Sequence, residues 1–372
     1  MDKVLVTGGA GFIGSHTVDL LLQRGYDVRI LDCLQPRVHP QGWPNYIPSD
    51  VEKIQGNVCN KEELEKALEG IDGVFHLAAY QDYMPDFSNF FQVNTVSTAL
   101  LFEIIVAKRL PLKKIVLASS QAVYGEGTYL CKNHGIFYPL SRSADALEQQ
   151  VWEITCPKCD TLATPQPIDE TVVNPHTAYG ISKYALEMTA LNLGRKYDIP
   201  VTNMRYSIVQ GPRNSFFNAY SGIARIFTLR LLNNQPPICY EDAQQLRDYV
   251  FVSDVARANL LVYEDERSNF ENFNVPGQRA YTVQEVATLL TSICGKKINP
   301  VISGEFRFGD TRHTTSTGAK LERLGWFPET PLEKILTAYV DWVREFGISN
   351  TNYYTNSSEE MRHHGILRRS DS

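Results

Sequence analysis

The sequence predicts an α/β protein: a doubly wound parallel sheet, a smaller mixed α/β part after it, and a Cys/His-rich insert. Three observations carry this prediction. Short apolar runs alternate with segments of helical period from residue 3 to residue 124, which is the rhythm of strands joined by crossover helices. A glycine-rich turn, Gly8-Gly9-Ala10-Gly11-Phe12-Ile13-Gly14, separates the first strand from the first helix. Cys131, His134, Cys156 and Cys159 fall in a polar stretch where the rhythm stops.

Taken in order, residues 3–6 read as a buried strand and 12–24 as a helix with Ile13, Val18, Leu21 and Leu22 at helical spacing. Residues 27–31 read as a second strand. Further strands are expected at 51–55, 73–77 and 114–118, with helices at 62–68 and 90–108 between them. Such near-continuous apolar runs suit a parallel sheet covered on both faces. Residues 127–171 are rich in Cys, Pro and polar side chains. An amphipathic helix at 177–197 and a strand at 201–206 follow. The second half has short elements and Pro-marked loops such as Gln235-Pro236-Pro237. We expect a dinucleotide-binding domain over 1–180, interrupted by the insert at 127–171. A mainly substrate-binding part should span 181–349, with some segments returning to the core. The tail at 350–372 is polar and low in large aliphatics, and is expected to be a weakly ordered terminus.

Composition bounds the function. The 372 residues include 36 Lys plus Arg against 42 Asp plus Glu, a net charge of −6, with 43% apolar and 21% charged residues. Wholesale disorder and collagen-like repeats are excluded, and nucleic acid is not an expected partner. No uncharged run reaches the ~18–20 residues of a membrane helix. The nearest, at 100–107, is interrupted by Glu103, so no membrane association is expected. The N-terminal apolar run breaks at Gly8-Gly9, too early for a signal peptide. Seven cysteines, an odd count, argue against a secreted disulfide framework, and a reducing cytoplasmic location is expected.

The glycine turn carries chemistry because of its context. Glycines allow a tight turn and close approach of a pyrophosphate, and the helix N-terminus offers free N–H groups with partial positive charge. Asp32, 18 residues after Gly14 at the end of the second strand, can accept from ribose hydroxyls and repel a 2′-phosphate. This favours NAD over NADP, with Arg37 nearby acting slightly against it. Tyr179 and Lys183 are four apart on a helical pattern and so share a face. A lysine cation beside a phenol lowers its pKa and makes it a usable base. Alone this spacing is a common coincidence. It gains weight beside the glycine turn and Ser119-Ser120 at a strand end.

The pairs Cys131-x-x-His134 and Cys156-x-x-Cys159 have the spacing of a closed, structural zinc site, each pair spanning one edge of a tetrahedron. Unmetallated thiols in a loop are the alternative. Cys33, Cys59, Cys239 and Cys294 are isolated and read as small apolar residues.

Together these motifs resemble the extended short-chain dehydrogenase/reductase superfamily, in its nucleotide-sugar epimerase branch, over about residues 1–345. The resemblance includes Gly8-x-x-Gly11-x-x-Gly14, His76-Leu77-Ala78-Ala79, Ser119 to Gly125, Tyr179-x-x-x-Lys183, Gly211-Pro212-Arg213 and Arg247-Asp248-Tyr249-Val250. It implies a Rossmann fold, bound NAD, and Ser120, Tyr179 and Lys183 as the catalytic set. It implies cofactor contacts from Gly8, Gly11, Phe12, Ile13, Gly14, Asp32, Asn57, Val58, Leu77, Ala78, Ala79 and Asn94. Substrate contacts are implied for Gln81, Tyr83, Gln121, Arg213, Arg247, Arg307 and Arg312, and Asp82 and Met84 should also line the sugar pocket. The apolar faces of 90–108 and 177–197 imply a homodimer interface.

The insert from Glu126 to Cys156, and the stretch from Ala219 to Asp242, are similar to the dTDP-L-rhamnose 4-epimerase group. Ile208 stands where an Asn usually touches substrate, and Asn57 where an Asp is frequent. Related 4,6-dehydratases place Thr-Asp-Glu where this chain has Ser120-Gln121-Ala122, which removes the acid and base of elimination. The expected activity is inversion at C4 of a nucleotide-diphosphate sugar. A reductase, dehydrogenase or dehydratase of the same superfamily and a catalytically silent relative remain alternatives.

Overall fold

The computed structural model describes residues 2–216, 222–346 and 352–369, the side chains of 352–357 excepted. Ala219, Tyr220 and Ser221, part of the resemblance above, lie outside the described residues.

The N-terminal apolar run forms β1 (Lys3–Thr7). It is followed by β2 (Asp27–Asp32), β3 (Glu52–Gln55), β4 (Gly73–His76) and β5 (Lys114–Ser120). The insert supplies β6 (Thr128–Cys131), β7 (Gly135–Phe137) and β8 (Thr164–Gln166), and the chain returns through the helix Ala178–Tyr197 to β9 (Val201–Tyr206). Then come β10 (Ile208–Gln210), β11 (Ile238–Cys239), β12 (Leu246–Phe251), β13 (Glu271–Val275), β14 (Ala280–Thr282), β15 (Val301–Ile302), β16 (Glu305–Arg307) and β17 (Leu367–Arg369).

Seven strands form one parallel sheet in the order β13-β9-β5-β4-β1-β2-β3. β4 and β9 are buried throughout, as helices on both faces require. One face packs Val4, Val6 and Phe75 against Val18 and Leu21 of the helix Phe12–Gln23 and Val255 of the helix Val252–Glu264. The other packs Leu5, Val74 and Ile115 against Leu101, Phe102, Ile105, Leu186 and Ala190. The strand order reverses at β1, which lies between β2 and β4. Connections leave β1 and β4 in opposite directions there and open a crevice at the carboxyl ends of the strands. A second apolar core, including Phe227, Leu290, Tyr339 and Val340, holds the elements beyond β10 together.

The helix expected at 90–108 forms as part of Phe87–Lys108, 22 residues long and apolar enough to cross a membrane by length and composition. Glu103 lies on its solvent side, paired with Lys61, while Leu101, Phe102, Ile104 and Ile105 face the sheet. Two expectations are corrected. The tail is structured where described: a helix Asn352–His363 leads to β17, which pairs antiparallel with β16. Of its described aliphatic side chains, Met361 and Leu367 are buried and Ile366 is half-buried. Cys33 is exposed and Cys59 half-buried, whereas Cys239 and Cys294 are core residues.

Candidate active site

The glycine turn is built for close contact. Gly8 has φ +68°, and a Cβ there would lie 2.8 Å from the Ala78 backbone. A Cβ on Gly14 would lie 2.1 Å from the Gly8 carbonyl oxygen. Gly11 caps the helix Phe12–Gln23 without a side-chain hydrogen bond, so the leading amides keep their donors and the helix its positive end. They open into a cleft of about 1110 Å³, whose wall also holds Asp32, Asn57, Val58, Leu77, Ala78 and Ala79. The Asp32 carboxylate accepts from the Ala10 amide at 3.0 Å and the Leu34 amide at 2.9 Å, which fixes it at the rim. Arg37 is bonded to Asp82 at 2.7 Å, so its charge is already engaged by a carboxylate. The residues present fit a dinucleotide without a 2′-phosphate. Asn94 is not in the cleft wall. It is fully buried, with Nδ2 donating to the Tyr80 carbonyl and to Ser182 Oγ, both at 3.0 Å, and it anchors the loop after β4.

Ser120 ends β5 and Tyr179 lies in the first turn of the helix capped by Thr177, whose hydroxyl accepts from the Gly180 amide at 3.0 Å. Both line the cleft. Burial pushes the Tyr179 phenol up to about 12, and the neighbouring Ser120 hydroxyl acts the other way by favouring the anion. Lys183 lies beneath, its Nζ 5.9 Å from the Tyr179 ring centroid and donating to the Ala118 carbonyl at 2.7 Å. Burial pushes this lysine down to about 7. The expected lowering of the phenol pKa by Lys183 is therefore corrected for the chain by itself: desolvation weakens the lysine cation and raises the phenol.

The other half of the cleft is lined by Gln81, Asp82, Tyr83, Met84, Gln121, Ile208, Arg247 and Arg307. Two expected substrate arginines stand outside it. Arg213 pairs with Asp19 at 2.7 Å and lies 4.6 Å over the Tyr46 ring. Arg312 is fully buried and paired with Glu153, with Glu241 at 3.0 Å and with Asp242 at 2.7 Å. A guanidinium saturated by three carboxylates is structural. Arg247 reaches the cleft, but its Nη groups donate to the carbonyls of Leu246, Thr311 and Arg312 at 2.9, 2.6 and 2.8 Å, which ties down the 311–312 loop.

Sequence reasoning missed Glu126, Ser141, His176, Tyr240, His364 and Arg368, all in the cleft wall. The acid-to-base spacing of known motifs gives no signal for them, because they arrive from the insert, loops and tail. Among the described wall residues, buried polar atoms without a partner include Gln121 Oε1, His176 Nε2, Gln210 Oε1 and Gln245 Oε1. Buried polar groups are costly unless bonded, so these atoms mark places for ligand polar groups.

Away from the cleft, the β6–β7 hairpin and a tight turn at 156–159 bring Cys131, His134, Cys156 and Cys159 together, all ligand atoms within 4.8 Å of one another. Cys131 Sγ is 3.7 Å from Cys159 Sγ and from His134 Nδ1, and Cys156 Sγ is 3.5 Å from His134 Nδ1. A tetrahedron with metal–sulfur bonds near ~2.3 Å has edges of about 3.7 Å.

Comparison with known proteins agrees with this geometry. The NAD dependent epimerase/dehydratase family matches residues 4–142 and 156–275, the gap falling inside the insert. The chain is 31% identical to a dTDP-L-rhamnose 4-epimerase of Burkholderia thailandensis, over 92% of this chain and 95% of that protein. It is also 31% identical to a putative UDP-glucose 4-epimerase of Methanocaldococcus jannaschii, over 92% and 98%. Among solved structures, a UDP-glucose 4-epimerase of Thermotoga maritima with UDP-glucose superposes with a TM-score of 0.76 at 30% identity, covering 93% of this chain and all of that one. A Thermus thermophilus UDP-glucose 4-epimerase complex with NAD gives 0.73 at 28%, covering 92% and 99%. The chain belongs to the NAD dependent epimerase/dehydratase family, within the extended short-chain dehydrogenases/reductases.

Proposed function

We propose that the chain inverts C4 of a nucleotide-diphosphate sugar, with dTDP-L-rhamnose the first substrate to test. One observation carries this reading: Ser120 and Tyr179 line the same cleft as the glycine turn and the wall residues with unpartnered polar atoms. Gly8, Gly11, Phe12, Ile13, Gly14 and Asp32 would hold NAD, and Lys183 would hold its nicotinamide ribose. NAD held there would supply a reversible hydride acceptor for C4 and a cationic ring beside the phenol, where Lys183 provides charge only weakly. Tyr179 Oη takes the proton of the 4-hydroxyl and returns it after the sugar has turned its other face. Ser120 Oγ donates to the developing oxyanion and keeps the phenol in place. Gln121 and Ala122 supply no acid or base for elimination, so the reading is a redox-neutral epimerisation.

The test is proton NMR of dTDP-L-rhamnose and UDP-glucose with the purified enzyme. A new anomeric signal with no net absorbance at the reduced-nicotinamide band is expected. Stoichiometric reduced nicotinamide would indicate a dehydrogenase, and no new signal with any nucleotide sugar would overturn the reading. We also read the exposed Val96, Ile181 and Met188, on the helices Phe87–Lys108 and Ala178–Tyr197, as a homodimer face. The same preparation should sediment at twice the chain mass. The Cys131, His134, Cys156 and Cys159 cluster is proposed to hold a structural zinc, on the strength of its donor set and edge lengths.

A further inference from the structure

The described tail, residues 352–369, lies beyond the stretch that resembles the epimerases, yet it reaches the cleft. β17 places Leu367 opposite Arg307 and Arg368 opposite Phe306, and the Phe308 amide donates to the Ile366 carbonyl at 2.9 Å. Met361 and Leu367 are each 3% exposed, and Arg362 pairs with Glu305 of β16 at 2.9 Å. So held, the segment puts His364, Ile366 and Arg368 into the cleft wall. The Arg368 guanidinium lies 4.8 Å from the Phe308 ring centroid.

The strand secured by β17 carries Arg307. Its guanidinium bonds Tyr83 Oη at 2.5 Å and lies 4.5 and 4.9 Å from the Tyr83 and Tyr240 ring centroids. A guanidinium stacked on aromatic faces is oriented for in-plane contacts with an anion. The tail also abuts the insert: Arg368 is 3.9 Å from Glu148, and Trp152 packs on Phe306 at 6.2 Å between centroids.

We propose that residues 352–369 form the diphosphate-side wall of the nucleotide-sugar site, β17 fixing Arg307 and adding the Arg368 guanidinium and the His364 imidazole to the edge that binds the substrate's phosphates. This rests on reading the cleft as a nucleotide-sugar site. Arg307, which also meets Asp310 at 3.6 Å, and Arg368, whose Nε donates to the Gly365 carbonyl at 2.8 Å, are the guanidinium groups of the described wall whose strand pairing the tail controls. The dinucleotide half touches none of the tail's hydrogen bonds given above, so cofactor retention should not depend on it.

The experiment is calorimetric titration of UDP and dTDP into NAD-loaded protein, with NAD content measured on each preparation. The proteins compared are the full chain, its His364→Ala/Arg368→Ala variant, and a chain ending at residue 346. We expect Kd for the diphosphate to rise about tenfold in the double variant and further in the truncation, with NAD content unchanged. Unchanged Kd in the double variant overturns the inference, and so does NAD loss parallel to the loss of diphosphate binding. If the truncation does not fold, the double variant decides. Tight binding by the full chain with unchanged variants refutes the tail's role alone, whereas a full chain that binds neither nucleotide refutes the nucleotide-sugar reading as well.

Discussion

At the scale of single residues, the chemistry turns on opposing pressures at Tyr179. Burial pushes its phenol up to about 12 while the Ser120 hydroxyl pulls the other way. A buried phenol becomes a base near neutrality only when positive charge arrives beside it. The Tyr179→Phe enzyme should therefore lose about 10²- to 10⁴-fold in kcat while retaining NAD. Single-turnover sugar oxidation measures this, and a variant with full rate would remove Tyr179 from the reaction. In the wild type, kcat/KM should rise with pH along its acid limb, because the active form is the phenolate. The residual activity of Tyr179→Phe should lack that limb. Asp32 shows a similar economy, since one buried carboxylate both closes the turn through the Ala10 amide and faces the cleft.

Elements add what residues cannot. The insert has only a small apolar core of its own, Tyr129, Ile154 and Ala163 with Phe137 beside it. A segment with so little buried surface needs another tie. Two are present: the thiol and imidazole cluster, and the buried ion network in which Arg142 meets Glu241 at 2.8 Å and Arg312 meets Glu153, Glu241 and Asp242. Elemental analysis should find one zinc per chain. The Cys156→Ser variant should lose it, with the thermal midpoint falling on the order of 5 °C. Full thermal stability without metal would make the ion network sufficient by itself. The network also explains why Arg312, which resembles a substrate arginine by position, is instead a strut. Its three carboxylate partners lie 70 or more residues away in sequence, so no local pattern announces them.

For the whole molecule, the buried His76 joins three elements, with Nδ1 2.9 Å from Thr7 Oγ1 and Nε2 3.0 Å from Ser97 Oγ. Desolvation, and then the Lys183 charge, push it down to about 3. Its folded pKa lies below the unfolded value of 6.5, so its contribution to stability is complete above pH 6.5 and is lost as pH falls from there toward 3. Within that window one such group contributes a slope of about 1.4 kcal/mol per pH unit. His76→Gln, which keeps a donor and an acceptor, should flatten the fall in thermal midpoint between pH 6.5 and 4. An unchanged slope would assign acid sensitivity to other groups.

The parallel sheet and the glycine turn were legible in the amino-acid order, because each depends on local period or on spacing within one element, and the family match and the superposed structures agree with that fold. The spacing also placed Asp32, Ser120 and Tyr179 in the wall of one cleft, with Lys183 behind it. The insert's cysteine and histidine spacing was legible for the same reason. What the order of residues left open was which charged side chains face ligand and which brace the fold. Arg213, Arg247, Arg307 and Arg312 are indistinguishable as letters, and only their partners, brought from distant loops, sort them. The polar tail looked structureless because two buried apolar residues, Met361 and Leu367, are too few to form a pattern. Its structure comes from the unpaired edge of β16, which exists only once the rest of the chain has folded.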